Sequence, residues 1–263
     1  MRRRFLLMSL SLLVAALPAF ADDGDAKADG SGDLVGWVEE NAGRGPEEID
    51  GVKIFRPTET DGKQMVSDIF EVAGMDKMTI MAKALAYCTD VLDKETEIIE
   101  TVEPASARFV IGKVLTAGEG RNAATFTCHI AFQAGDGILS FACYDLTASY
   151  KEKGILPRTL AFEKLKPAEK SQHKEMVEAF SIANSRFLKE VFDFVATGEC
   201  QPVTHWAEIE ACEVVKGMNE TEVKLSIGRP AHVSNAGGGR VKWMINNSFV
   251  IIFTDGVVTS VIR

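Results

Sequence analysis

The chain has 263 residues, 46% of them hydrophobic, and its 29 basic and 38 acidic side chains give a formal net charge of −9. A chain of this length fits one large or two small domains. The acidic balance argues against nucleic acid or an anionic membrane surface as the main partner, because both require a cationic face.

Residues 1–21 predict a cleaved secretory signal peptide. Three arginines at positions 2–4 precede a mostly apolar run, and Ala19-Phe20-Ala21 is a small-x-small cleavage site. Cleavage would leave 26 basic against 38 acidic residues, a net charge of −12. No cysteine lies near this site, and no second apolar run reaches the ~18 residues needed to span a bilayer. We expect a soluble, periplasmic or secreted protein without a lipid anchor or an integral membrane span.

Residues 22–60 form an acidic leader that we expect to be partly disordered, and a first domain is predicted at 61–197. A short strand at 65–72 ends at Gly74, and Asp76 is a candidate N-cap for the following helix. The apolar residues of this helix repeat at helical spacing and place Cys88 on the buried face. A buried core thiol is therefore expected there. The repeat consists of Met81, Ala84, Leu85, Cys88, Val91 and Leu92.

Two strands at 95–103 and 107–115 then meet at Pro104, and the segment TFTCHIAFQAGDGILSFACYDL predicts a hairpin. A four-residue loop would pair Gln133 with Ile138, and the same register would place Cys128 opposite Cys143. These cysteines are either a disulfide or two small apolar residues packed together. The alternation predicts one buried face and one largely wet face, the latter with Thr127, His129, Gln133, Ser140 and Ala142.

A long helix is predicted at 168–196, opening at Pro167 and ending at Gly198. Its broad apolar stripe is of the kind that covers a sheet. Strand, helix, strands and long helix together predict a two-layer α+β domain with an antiparallel sheet. The stripe contains Met176, Phe180, Ala183, Phe187, Val191 and Val195.

Residues 65–150 resemble the small TBP-like domain of unknown function found in exported bacterial proteins. The matching stretches are FEVAGMDKMTIMAKAL, RFVIGKV and TFTCHIAFQAGDGILSFACYDLTA. The resemblance implies a fold and no chemistry, and DNA binding does not transfer because the basic surface is missing.

The last part of the chain, 198–263, predicts a second domain that begins with a helix at 204–215. Asn219 and Glu222 have the spacing of a capping box for the next helix. Gly228 and Pro230 are expected to end that helix.

Three strands are expected next, at 241–245, 248–253 and 257–262, with turns at Asn246-Asn247 and Asp255-Gly256. The triple glycine Gly237 to Gly239 precedes them as a loop. It lacks the strand-before, helix-after setting of a nucleotide-binding fingerprint.

Residues 204–263 resemble the SmpA/OmlA family, whose fold is two helices on a three-stranded antiparallel sheet, similar to the β-lactamase-inhibitor protein. The resemblance implies protein binding and carries over no catalytic residue. This chain lacks the family's lipidated N-terminal cysteine. The matching positions, all interpreted as structural, are Gly217, Met218, Val223, Gly228, Pro230, Trp243 and Phe253.

The central strand of this module is apolar on both faces. Phe249, Ile251 and Phe253 point one way, and Val250 and Ile252 point the other. A two-helix layer covers one face only. The other face requires cover from the first domain, a second copy or a foreign partner. Phe249, Ile251 and Phe253 are the candidate interaction face.

The titratable residues predict no catalytic, cofactor or metal site. Cys128 and His129 are adjacent in a strand, so their side chains point to opposite faces of the sheet and cannot form a catalytic pair. His173 is expected in an exposed helical turn. Cys200, His205 and Cys212 lack the spacing and the fourth ligand of a zinc site, so a Cys200–Cys212 disulfide is favoured over a metal.

We therefore expect a non-enzymatic, exported protein of the bacterial envelope that binds other proteins, or itself as a homo-oligomer. Envelope assembly or maintenance is the expected setting. The alternative is a periplasmic small-molecule or lipid-binding protein that uses the space between the sheet and the helix at 168–196. An enzyme of unrecognised type is the third class.

Overall fold

The computed structural model describes residues 47–60, 62–93, 96–119, 123–151, 157–246 and 249–263. The predicted signal peptide, most of the leader and Asn247 of one predicted turn lie outside these ranges. The described residues all fall in one compact unit, and the predicted division at 197/198 stays a prediction.

The first part of the described chain forms a seven-stranded antiparallel sheet beside a small two-stranded hairpin. The order of the large sheet is β3-β4-β8-β7-β6-β5, and β9 pairs with the second half of β8. Antiparallel pairing throughout confirms the expected α+β class. The hairpin strands are β1 (Glu47–Ile49) and β2 (Val52–Ile54). The sheet strands are β3 (Thr58–Thr60), β4 (Lys63–Glu71), β5 (Ile98–Glu103), β6 (Arg108–Ala117), β7 (Ala124–Gly135), β8 (Ile138–Tyr150) and β9 (Arg158–Ala161).

Two helices cover one face of this sheet. Helix α1 (Lys77–Val91) starts as predicted, because the Asp76 side chain accepts hydrogen bonds from the amides of Met78 and Thr79. Helix α2 (Ser171–Thr197) starts three residues later than predicted and ends at Gly198. Phe180 of α2 packs on Phe126 of β7, with ring centroids 5.5 Å apart.

The buried face of helix α2 is more polar than the sequence predicted. Ala183 is half-buried, while Ser181, Asn184 and Ser185 are fully buried. The Ser185 hydroxyl accepts the Phe55 amide at 2.9 Å. Within the described part of the chain, neither amide atom of Asn184 has a hydrogen-bond partner. Such a buried amide costs stability, because its bonds to water are lost without replacement.

The face of the large sheet that was expected to be exposed to solvent is partly apolar. Ser140 and Ala142 are buried rather than exposed, whereas Thr127 is exposed and His129 is half-buried. A small second cluster forms here, so the alternation prediction holds only in part. The cluster consists of Met65, Val110, Ala131, Ala142 and Tyr144.

The last part of the chain has two short helices and a four-stranded antiparallel sheet in the order β10-β11-β12-β13. The expected module had three strands; the additional strand β10 pairs with β11. The glycines at 237–239 all have positive φ and form the turn between these strands, where a loop was expected. The elements are α3 (Trp206–Glu210), α4 (Glu220–Ile227), β10 (His232–Gly237), β11 (Arg240–Asn246), β12 (Phe249–Thr254) and β13 (Val257–Ile262).

Both parts of the fold share one apolar core. The cluster of buried residues runs without interruption from Phe126 and Phe180 to Met218, Trp243 and Phe253. Removing the last part of the chain would therefore expose core residues of the first.

Helix α4 docks on the C-terminal end of α1. Lys224 forms an ion pair with Asp90 at 3.0 Å. The guanidinium of Arg229 donates to the carbonyls of Asp90 and Leu92, both at 2.7 Å. A cation at a helix C-terminus satisfies carbonyls that lack helical partners and complements the helix dipole.

Candidate functional site

The capping box predicted for α4 is present. Glu222 N–H donates to the Asn219 side chain at 2.9 Å, and Asn219 N–H donates to Glu222 Oε2 at 2.8 Å. Gly228 ends the helix with a positive φ of 78°, and Pro230 follows it. This part of the module follows from local residue chemistry alone.

The Glu222 carboxylate does more than close the capping box. Its side chain is 1% exposed, and Oε1 accepts the amides of Thr204 at 2.6 Å and His205 at 3.0 Å. His205 Nδ1 lies 2.9 Å from the same oxygen, so Nδ1 carries a hydrogen. Burial alone would raise the pKa of Glu222, but hydrogen bonds from Thr204, Asn219 and His205 hold it below its usual value. Glu222 thus fixes the segment before α3 to the start of α4.

The residues that match the SmpA/OmlA pattern occupy structural positions. Met218, Val223, Trp243 and Phe253 are at most 3% exposed. Gly217 has a φ of 94°, which few other residues adopt readily. Met218, Val223, Trp243 and Phe253 build the inner core of the module, and Gly217 and Gly228 allow its backbone to turn.

The predicted interaction face is wrong for two of its three residues. Ile251 and Phe253 are completely buried, and Phe253 packs on Trp243 with ring centroids 4.6 Å apart. Phe249 is half-buried. The helices cover this side of β12, so the side that remains is the one carrying Val250 and Ile252.

We define the outward face as the side of the β10–β13 sheet opposite Trp243 and Ile251. Strand register arranges it in rows across the sheet. The apolar row is flanked by His232 at the edge strand β10. Met244 and Val250 are half-buried, and Ile262 is 52% exposed. The apolar row is Met244, Val250 and Ile262. The central row is Ser234, Lys242, Ile252 and Ser260. The last row is Arg240, Thr254 and Val257.

The outward face contains no acidic residue. Residues 229–263 include three arginines and one lysine against a single acid, Asp255, a net charge of +3. The preceding 228 residues carry the remaining −12. Of these four cations, Arg229 contacts the end of α1, while Arg240 and Lys242 lie on the outward face. That face is therefore a local cationic and aliphatic surface on an acidic protein.

The cysteine predictions were partly wrong. The loop between β7 and β8 has two residues, so Ile130 lies opposite Cys143, and Cys128 lies at a bulge. The five cysteines, all within the described ranges, are free thiols, so neither the Cys128–Cys143 nor the Cys200–Cys212 disulfide is present in the structure. Burial, and next the adjacent Cys128 thiol, raise the pKa of Cys143.

Two further cysteine expectations have different outcomes. Cys88 is the buried core thiol that the helical pattern predicted, and burial raises its pKa to about 12. Cys212 is exposed and Cys200 is half-buried. His205 is bonded to Glu222 instead of joining these two cysteines. No group of three or more metal-ligating side chains occurs in the described part of the chain.

Two histidines have contacts that sequence reasoning missed. His173, expected to be exposed, is 3% exposed. Its Nδ1 accepts the Lys166 amide at 2.9 Å, and its Nε2 lies 3.0 Å from the Tyr150 hydroxyl. The repeat of the helix already placed residue 173 one turn before Met176 on the apolar side, which was the available signal.

His129 lies on the second face of the large sheet. Its Nδ1 is 2.8 Å from Glu100 Oε1, and this hydrogen bond raises the pKa of His129. The Tyr144 ring stacks on His129 at 5.5 Å, and burial raises the pKa of Tyr144 to about 12. Gly112 leaves room for this contact, since a Cβ there would lie 3.1 Å from Glu100 Oε1.

An apolar-walled cleft beside α2 is small. It has a volume of about 200 Å³ and is lined by Phe55, Phe70 and Phe192 with Lys53 and Lys189 at its sides. Ligand pockets for drug-sized molecules typically have about 300–1,000 Å³. This cleft lies beside the two-stranded hairpin, and it gives the ligand-binding alternative little support.

None of the helices in the described part of the chain has the length and apolarity to cross a membrane. No protein-family model and no curated protein matches the chain. Two solved structures are similar to it. A TBP-like protein from Parabacteroides distasonis shares 14% identity with a TM-score of 0.49, over 54% of this chain and 99% of that one. A DUF4468 family protein from Bacteroides ovatus shares 13% identity with a TM-score of 0.45, over 56% of this chain and 94% of that one.

Proposed function

We propose that this is an exported, non-enzymatic protein of the bacterial envelope that binds another protein through the outward face of its C-terminal sheet. The single observation that carries the proposal is the apolar row Met244, Val250 and Ile262, which is aligned across three strands and remains partly exposed. A contiguous exposed apolar patch on a folded chain is typical of an interaction site.

Three further features support the proposal. The first 21 residues have the charge, apolar run and cleavage site of a signal peptide. The resemblances of residues 65–150 to a TBP-like domain and of 204–263 to SmpA/OmlA proteins, which act by binding, favour the same function. The buried titratable groups Glu222 and His173 are engaged in contacts that stabilise the fold.

The experiment is affinity capture of the mature protein from cells that produce it, followed by mass spectrometry. The test variant Ile262→Asp places a charge in the apolar row. The matched control Ile98→Asp makes the same change at a residue of the large sheet that is 48% exposed, close to the 52% of Ile262. Deletion of 204–263 is unsuitable, because the two parts of the chain share a core.

We expect a reproducible protein partner that is lost with Ile262→Asp and kept with Ile98→Asp. Equal capture by both variants would contradict the proposed face. A bound small molecule or lipid in place of any protein partner would favour the ligand-binding alternative.

A further inference from the structure

The outward face has its apolar row at one end of the strands and the cation Arg240, with Thr254 and the exposed Val257, at the other end. Met244, Val250 and Ile262 form the apolar row, while Arg240 lies four residues before Met244 on the same strand. At about 3.3 Å per residue, the two ends are roughly 13 Å apart. Lys242 and Ile252 lie between them as a register pair. A complementary partner must change from aliphatic to anionic over the same distance.

Asp255 lies in the turn beside Gly239 and makes no ion pair with the cations at this end within the described residues. Arg240 is exposed, and its Nε donates to the Gly237 carbonyl, a neutral group, at 3.3 Å. Lys242 is half-buried, and its cross-strand neighbours on this face are Ser234 and Ile252. Within the described ranges, neither Arg240 nor Lys242 takes part in an ion pair. Both side chains can therefore pair with an incoming carboxylate.

On the basis of the proposed function, we propose that the partner docks through an acidic segment rich in aliphatic residues. Its aliphatic side chains cover Met244, Val250 and Ile262, and its carboxylates pair with Arg240 and Lys242. Charge complementarity of this kind steers association and selects the partner.

A second copy of this chain is a poorer occupant. A two-fold symmetric dimer through the outward face pairs two copies of a surface that carries cations and no acidic residue, so neither copy supplies a carboxylate for Arg240 and Lys242. A head-to-tail contact with the acidic remainder of a second copy would repeat from copy to copy and form a ring or a filament.

An extended polyanionic surface is also a poorer occupant. The preceding 228 residues carry a net charge of −12, which repels an anionic lipid surface or nucleic acid. A short acidic segment avoids most of this repulsion, because charges more than about 8–10 Å away are screened at physiological salt.

The test is photo-crosslinking in the producing cell from p-benzoylphenylalanine at position 260, with mass spectrometry of the crosslinked peptide. Ser260 lies in the central row opposite Ile252. Position 98 on the large sheet serves as the control site. The charge-reversal variant is Lys242→Glu with Arg240→Glu, and Lys242→Arg is the conservative variant. Circular dichroism and thermal unfolding check that each variant folds.

We expect crosslinks from position 260 to a segment of another protein with an excess of Asp and Glu among aliphatic residues. Charge reversal should lower their yield about two- to thirtyfold, which corresponds to the loss of two exposed ion pairs. The conservative variant should retain the yield, and position 98 should give no such crosslink.

The outcomes separate this inference from the function on which it rests. Protein crosslinks that survive charge reversal, or that fall on a segment without acidic excess, would leave the proposed function standing and overturn the acidic partner. Crosslinks only to a second copy, or only to lipid, would overturn the acidic partner as well. If position 260 captures no protein, both proposals fail.

Discussion

Replacing Glu222 with alanine tests how strongly one buried carboxylate holds the C-terminal unit together. The substitution leaves the amides of Thr204, His205 and Asn219 without their acceptor in a region where Glu222 itself is 1% exposed. Each buried donor left unsatisfied costs about 1–3 kcal/mol. Because some of these amides will gain access to water after the change, we expect a total loss of about 3–5 kcal/mol.

The assay is equilibrium unfolding in urea, followed by circular dichroism and by tryptophan fluorescence. The control is Glu220→Ala, which removes the same side chain from the first turn of the same helix at a half-buried position without a hydrogen bond in the described structure. Its expected cost is about 0.3–1 kcal/mol, from the lost interaction with the helix dipole. A loss below 1 kcal/mol for Glu222→Ala would refute the reasoning, since the amides would then have other acceptors.

The lowered pKa of Glu222 gives this prediction a pH dependence with a definite sign. A carboxyl whose folded-state pKa lies below its unfolded value stabilises the fold above the unfolded pKa of about 4.5. That contribution is lost as the pH falls through the folded-state pKa. As the pH is lowered from 6 into the acid range, we expect the free energy of unfolding to fall more for the wild type than for Glu222→Gln. Parallel curves of stability against pH would contradict this.

Three further changes have defined outcomes. Asn184→Leu removes a buried, unsatisfied amide and should raise the free energy of unfolding by about 1–3 kcal/mol in urea; a loss of stability would mean that the amide has a partner. Arg229→Ala should speed amide hydrogen exchange in the last turn of the helix that it caps, with no effect in the first turn. Gly112→Ala should push Glu100 away from His129, so the pKa of His129, measured by NMR titration, should fall toward its ordinary value; an unchanged value would show that Glu100 still reaches the ring.

The register of the β7–β8 hairpin could have been predicted, because the sequence contains a signal for a two-residue turn. We predict from the sequence a four-residue loop at Ala134-Gly135-Asp136-Gly137, but β7 extends to Gly135 and pairs it with Ile138. Asp136-Gly137 is the same two-residue turn signal as Asp255-Gly256, and Gly137 has the positive φ of 76° that such turns favour. Changing the loop from four residues to two shifts each partner by two positions, so the faces were right while the cysteine pairing was wrong.

Strand β10 gave no comparable signal. Most of its side chains are small or polar, and only Val233 is a large apolar residue. It is a strand because β11 offers unpaired backbone groups beside it, and an edge strand needs no buried face of its own. The structure alone could show that the module has four strands.

Local chemistry along the sequence determined the caps at Asp76, Asn219 and Glu222, the glycine ends of the helices, and the alternating faces of the strands. These features depend on residues a few positions apart, whose backbone geometry is restricted whatever the rest of the chain does. Tertiary structure alone decided which face of β12 is buried and which is left outward, and that α4 docks on α1 through Arg229 and Lys224. The contact of α4 with α1 joins residues more than a hundred positions apart, and the buried face of β12 belongs to the core that both parts of the chain share. Many chain arrangements satisfy the same local pattern, and only packing into one shared core selects among them.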